Sequence, residues 1–394
     1  VERKDTIIDG LRNDPSWLTL ALLSEDCMPH MPAIRSLAFE EGFDIVREIR
    51  LADEARGKAA DAIARGLCWA SGRFEGGFGE PASLLAIYDY SPPNARISSG
   101  ESHSARLMRK MAMLPNRGFP ESARANFILF PRDDEAKLYA LATLARDEFD
   151  GILDEGARLR AATLTPYPVI SDLSGNLRRA KVEIVSYGRG DAVCKTYLPG
   201  REDFLGREAR AREVGAGIPE VAPFLELGSN YMLLERYSRQ LPSAEGALPL
   251  LLKNKFIPLR YLERIREVLA EFREKGYELI DFNPHSIFLD DAGVMKFIDF
   301  EFFQEGGVRS RDLVGCMAWY PAPDGFPGLL PKSLRTQQKP YTMGWFTRSG
   351  LPRGLYARWA PRPVLHAARF FSGQAILCRR ILQKVGVPAL GGAS

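Results

Sequence analysis

Apolar and polar positions alternate in two distinct rhythms along the chain. In the first half, Trp17–Leu23 is a nearly unbroken apolar run, which predicts a buried strand. Met31–Glu41 carries Ile34, Leu37 and Ala38 at helical spacing, Phe43–Leu51 alternates as a strand, and Ala52–Leu67 is Ala-rich and helical. Ala82–Tyr90 predicts another strand, Ser104–Leu114 a helix, Ala125–Phe130 a short strand and Glu135–Phe149 a helix. The Pro-containing passage Thr163–Pro168 marks a border. Beyond it, Ala180–Tyr187 and Ala192–Tyr197 flank the turn Gly188-Arg-Gly-Asp191 and predict a hairpin. A charged helix is expected from Arg201 to Val214, strands at Val221–Leu227 and Tyr231–Glu235, and a long helix over Pro258–Lys275 ended by Gly276. Two short apolar strands, Ser286–Leu289 and Val294–Ile298, flank the turn Asp290-Asp-Ala-Gly293. Helices and strands mixed in this order predict an α+β protein.

Composition adds limits. With 394 residues, 45% hydrophobic and 26% charged, the chain is an ordinary globular sequence of about two domains rather than a disordered one. No apolar run reaches the ~18–20 residues of a membrane span. No apolar core follows the N-terminal Val-Glu-Arg-Lys, so a secretory signal is not expected and a cytoplasmic location is. The five cysteines are scattered without a CxxC pair, and the four histidines are dispersed; reduced thiols are expected, and neither a disulfide framework nor a zinc site.

Charge is more informative in its placement than in its net value of +3. After Asp324 there is no acid in 70 residues, but eleven Lys or Arg; the first 324 residues hold 42 basic and 50 acidic groups. Trp345, Phe346, Tyr356, Trp359, Phe370 and Phe371 are interleaved with these cations. Val364–Val385 is expected to form a helix with Leu365, Ala368, Phe371 and Ile376 on one side. Cations with aromatics and no acids fit a peripheral helix on an anionic bilayer, provided by residues 331–394. No nucleic-acid motif is present, and the oligomeric state is left open.

The candidate chemistry is phosphoryl transfer. That reaction needs a cation on the phosphates, a group that orients it, carboxylates for Mg²⁺ and a carboxylate at the acceptor hydroxyl. The chain offers Lys195 within Val193-Cys-Lys-Thr-Tyr197 and Glu208 on the following helix, where Arg207, Arg210, Arg212 and Glu213 otherwise read as a solvated charged face. Asp281 opens Asp281-Phe-Asn-Pro-His-Ser-Ile-Phe-Leu289, and Asp299 ends the apolar strand of Phe297-Ile-Asp-Phe-Glu301.

On these residues, the stretch from about 165 to 330 resembles the protein-kinase-like fold, in its small-molecule branch of aminoglycoside, choline and lipopolysaccharide-sugar kinases. The Asp281 loop is similar to the family's Asp-Leu-His-Pro-Gly-Asn-Ile-Leu, and Ile298-Asp-Phe-Glu301 to its metal-binding motif. The gap of 18 residues between Asp281 and Asp299 suits two strands and a turn, and Asp312 in Ser310-Arg-Asp-Leu-Val-Gly315 resembles the helix start that buttresses the catalytic loop. The resemblance implies ATP and Mg²⁺ as cofactors. It implies Asp281 as catalytic base and Asp299 with Ser286 as metal ligands. Lys195 would bind the nucleotide phosphates with Glu208 orienting it, and Gly175, Leu234, Glu235 and Tyr237 would line the nucleotide. Ser286 stands where the family has Asn, Leu279 where it has His, and Ser174-Gly-Asn176 replaces the glycine-rich loop. Only about 13 residues separate Asp299 from Asp312, too few for a protein kinase's activation segment, which points to a lipid, glycolipid or cell-envelope sugar as acceptor. The same departures motivate a second class of reading, a pseudokinase scaffold.

Residues from about 17 to 148 resemble nucleoside diphosphate kinase, a ferredoxin-like fold. The resemblance rests on Thr19–Asp26, Ile34–Leu51 and Asn126–Asp134. Leu129 stands in place of the phosphate-accepting His and Ser24 in place of the Lys, and a Leu side chain cannot become a phosphohistidine. The organisation expected is therefore a degenerate domain over 1–150, a kinase-like N-lobe and catalytic core over 151–330, and a basic helical extension over 331–394.

Overall fold

A computed structural model describes residues 14–70, 74, 76–91, 101–174, 177–241, 256–306, 328–331, 340–352, 354–355 and 359–384, with the side chains of 340–344 and 374–384 excepted. The described chain is mixed α+β, with several small sheets whose strand pairs run antiparallel. It divides into two compact units, Val1–Tyr187 with Cys194–Arg201, and Gly188–Val193 with Glu202–Ser394.

The first unit opens with β1 (Leu18–Ser24), α1 (Met31–Glu41), β2 (Phe43–Arg50), α2 (Asp53–Ala64), β3 (Pro81–Asp89), α3 (His103–Met113) and β4 (Ile128–Leu129). The four strands form an antiparallel sheet in the order β2-β3-β1-β4. Every residue of β1 is buried, because both faces of the sheet are covered. Leu20 and Leu22, with Leu84 and Ala86 of β3, pack on one side with Ala59 and Ala62 of α2. Ala21 and Leu23, with Leu85 and Ile87, pack on the other with Ile34 of α1 and Leu107 of α3. This is why β1 reads as a continuous apolar run instead of an alternating one.

Two helices follow, α4 (Asp134–Leu144) and α5 (Phe149–Ala162), where the sequence predicts one helix ending at Phe149. Gly151 and Gly156 weaken the helical signal of α5, yet Ile152, Leu153, Ala157 and Leu159 bury a full stripe against the sheet, and that burial outweighs propensity. The unit closes with β5 (Val169–Asp172) paired antiparallel to β6 (Ala180–Tyr187), and β7 (Gly190–Tyr197), whose first four residues belong to the second unit. Gly42 caps α1 at φ +85° and brings its Cα against the Leu177 backbone; a Cβ there would lie 1.8 Å from the Leu177 carbonyl oxygen. Arg201, expected to begin the next helix, instead precedes it and is fully buried. Its Nη1 donates to Asp44 Oδ1 at 2.9 Å and its Nη2 to the carbonyls of Phe39 and Phe43 at 3.2 Å.

The second unit contains α6 (Glu202–Val214), β8 (Phe224–Leu227) antiparallel to β9 (Tyr231–Glu235), β10 (Arg239–Gln240), α7 (Leu259–Glu274), β11 (Tyr277–Leu279), β12 (Ile287–Leu289), β13 (Met295–Phe297), β14 (Phe303–Glu305), α8 (Pro340–Ser349) and α9 (Arg362–Lys384). α7 buries Leu262, Ile265, Val268, Leu269 and Phe272 at helical spacing and is the spine of this unit's core. A small sheet runs β10-β12-β13, and β11 pairs with β14.

Candidate functional site

The second unit brings the predicted loop and the predicted strand end together through one hairpin. β12 and β13 pair antiparallel with Ile287 opposite Phe297 and Leu289 opposite Met295. Asp290 Oδ1 accepts from Val294 N at 2.8 Å, and Gly293 takes φ +81°, which closes the turn. At the far end, Ile298 N donates to the Ser286 carbonyl at 3.2 Å, so the segment entering β12 and the segment leaving β13 lie side by side. The 281–286 loop is shaped by Asn283, whose side chain accepts from His285 N at 2.8 Å. Phe282 anchors it in the core, 4.8 Å from the Phe297 ring centroid. Trp345 of α8, fully buried, donates from Nε1 to the Phe282 carbonyl at 3.0 Å. Trp345, one of the aromatics interleaved with the C-terminal cations in the sequence, is a core residue that holds the loop carrying Asp281.

Asp299 and Glu301 follow β13, and Glu208 comes from α6. Their carboxylate oxygens lie within 4.8 Å of one another, with Glu208 and Glu301 buried and Asp299 half-buried. Among the described residues no other trio of His, Cys, Asp or Glu comes so close. Three like charges at this range repel, and the repulsion is strong in a poorly hydrated setting. Arg212, one helical turn beyond Glu208, offsets it. Its Nη1 donates to Glu208 Oε2 at 2.6 Å and to the Glu208 carbonyl at 2.9 Å. Its Nε donates to the Ala222 carbonyl at 2.9 Å, and its Nη2 to the Ile298 carbonyl at 3.2 Å. The guanidinium also covers the Phe300 ring at 5.1 Å. One buried side chain thus fixes α6 to the residue that precedes Asp299. The face of α6 read as solvated is, at Glu208 and Arg212, fully inside.

The donor set is all oxygen, which suits a hard cation such as Mg²⁺ better than a thiophilic metal. Ser286 is buried at the end of the Pro284–Ser286 turn, with its carbonyl engaged by Ile298 N. Asp281 is half-buried. On β9, Leu234 is buried and Glu235 exposed; the Tyr237 hydroxyl beyond it donates to Glu235 Oε2 at 2.9 Å, and burial raises its phenol above the ordinary value. Lys195 belongs to the first unit, half-buried on β7 with its ammonium 5.4 Å from the Tyr197 ring. Gly175, Asp312 and Cys316 lie outside the described residues. In the first unit Leu129 of β4 is buried in the core, paired with Leu22, and Cys27, Cys68 and Cys194 are buried free thiols.

No family model matches the chain, and no curated protein matches it. The site therefore stands on its own geometry. Sequence reasoning missed three residues that build it, Arg212, Glu301 and Trp345. Glu301 had a signal, since its spacing from Asp299 places both after the same short strand. Arg212 and Trp345 had none, because residue type alone gives no direction to a long cation or an indole.

Proposed function

We propose that the second unit is the catalytic core of an ATP-dependent phosphotransferase of the protein-kinase-like, small-molecule type. Its substrate is a hydroxyl of a lipid, glycolipid or cell-envelope sugar at the cytoplasmic membrane face. The observation that carries this reading is the meeting of Asp299 with Glu208 and Glu301 at the end of a hairpin whose other strand is entered by the Asp281 loop. In this reading Asp281 accepts the proton of the attacking hydroxyl. Asp299 and Glu301 would hold Mg²⁺ with the Ser286 hydroxyl, and a bound Mg²⁺ supplies positive charge to phosphoryl oxygens. Arg212 keeps Asp299 in position through the Ile298 carbonyl. The resemblance assigns Lys195 to the nucleotide phosphates. The β2-β3-β1-β4 order supports a ferredoxin-like reading of the N-terminal sheet. With Leu129 in the core, that domain serves binding, docking or dimerisation.

The test is ADP release from Mg²⁺-ATP across a panel of lipid and sugar acceptors. Asp281→Ala and Asp299→Asn are each expected to lower turnover by roughly a hundredfold or more. Turnover equal to wild type in both variants rejects the reading, and pyrophosphate in place of ADP would make the reaction nucleotidyl transfer. Ser286, a weaker ligand than a carboxamide, favours one alternative, a scaffold that binds nucleotide without turnover. Mg²⁺-ATP binding with no ADP release from any acceptor would favour it.

A further inference from the structure

The first unit holds a cavity of about 310 Å³ that the phosphotransferase reading leaves unused. Ligand cavities run from ~300 to ~1,000 Å³, so this one suits a small molecule. It opens where β3 ends and β1 begins, beside the last turn of α5. Its apolar wall is Trp17 and Tyr88, with ring centroids 5.5 Å apart, together with Leu177 and Leu198. Three polar groups on the lining have no hydrogen-bond partner among the described residues: the hydroxyl of Tyr88, a residue only 4% exposed, the buried Ser16 hydroxyl and the Arg160 guanidinium. Buried polar groups in folded proteins are partnered, so hydroxyls left open on one cavity wall point to a ligand.

The charges around this cavity divide into engaged and open ones. Lys181 is paired with Glu183 at 2.6 Å, and Asp14 and Asp172 each accept from the backbone N–H two residues on, at 3.1 and 2.7 Å. Arg160 meets no carboxylate, and Asp89 no Lys or Arg, among the described residues. Asp89 Oδ1 accepts from Ser91 N at 2.9 Å and lies 3.9 Å from His103 Nδ1. Burial raises the Asp89 carboxyl above the ordinary carboxylate range, a cost that a cation beside it would offset. Burial also pushes the Tyr88 phenol up to about 12, with Arg160 lowering it and Asp89 raising it, so the open cation and the open carboxylate both act on that hydroxyl.

We propose that the cavity binds a free α-amino acid with an apolar side chain. The ligand's carboxylate meets Arg160 and the Tyr88 and Ser16 hydroxyls, its ammonium meets Asp89, and its side chain lies against Trp17 and the two leucines. Three carboxylates on the lining disfavour a simple anion and Arg160 disfavours a simple cation, whereas a zwitterion answers both. The site shares no residue with the carboxylate cluster of the second unit and stands whether or not that cluster transfers phosphate.

The experiment is isothermal titration calorimetry of the full chain with L-phenylalanine and L-leucine, and with 2-phenylethylamine and 3-phenylpropionate, which each lack one of the two charges. Both amino acids are expected to bind, and each analogue at least ~tenfold more weakly than phenylalanine. Arg160 is exposed, so Arg160→Gln should keep the wild-type urea midpoint while weakening phenylalanine roughly tenfold. Asp299→Asn is expected to bind phenylalanine as wild type does, so a failed kinase assay leaves this result standing. Binding of neither amino acid, an analogue as tight as phenylalanine, or unchanged phenylalanine affinity in Arg160→Gln would overturn the proposal.

Discussion

Replacing Arg212 by Met tests whether one buried guanidinium organises the candidate site. The side chain is almost wholly inside, and its removal takes a charge-assisted hydrogen bond from the buried Glu208 and donors from three carbonyls, those of Glu208, Ala222 and Ile298. Breaking a buried ion pair from one side costs about 3–5 kcal/mol, and each carbonyl left without its donor adds about 1 kcal/mol at the low end. Met restores part of the apolar contact with Phe300, so the expected net loss is at least about 4 kcal/mol in the second unit. Hydrogen exchange reads this directly. Amides of β13 that open only with the whole unit should exchange about a thousandfold faster, at about 1.4 kcal/mol per factor of ten. Arg212→Lys should recover part of the loss, since an ammonium keeps the charge but lacks the fork that reaches several acceptors. Acceleration of β13 exchange by less than about fivefold in Arg212→Met would refute the argument.

Gly42→Ala should destabilise the first unit by at least ~2 kcal/mol in urea unfolding, because φ is +85° and the new Cβ meets the Leu177 carbonyl oxygen; a shift below about 0.5 kcal/mol would contradict the close approach. Trp345→Phe removes the donor to the Phe282 carbonyl, so kcat in the acceptor assay should fall roughly fivefold while KM for ATP stays, and a KM change alone would show that the indole does not position the Asp281 loop. Burial pushes the Cys27 thiol up to about 12 from 9.0. The unfolded chain therefore ionises first, and the stability this thiol contributes is whole below about pH 9 and lost as pH rises toward 12. Between pH 7 and pH 10 wild type should lose about 1.4 kcal/mol more than Cys27→Ala, and equal pH dependence in denaturant titrations would refute the shift.

Much of the fold was legible because it is local. The apolar run of β1, the helical spacing of α1 and α7, and the Gly293 turn between β12 and β13 each report their own period or backbone requirement within a few residues. The two short strands around the Asp290–Gly293 turn were readable for the same reason, as one short hairpin. What local pattern could not supply was direction. α5 exists because a sheet face was available to cover its apolar stripe, despite two glycines. Arg212 points inward because Glu208 and three carbonyls needed a donor there, while Phe371, on a helix whose covered side was already filled by Leu365 and Ala368, was left outside. Sequence alone determined the elements and the stock of charges. Which charges are stripped of water, and which apolar side chains keep it, was decided by packing between segments far apart in the chain, since desolvation depends on every neighbour at once.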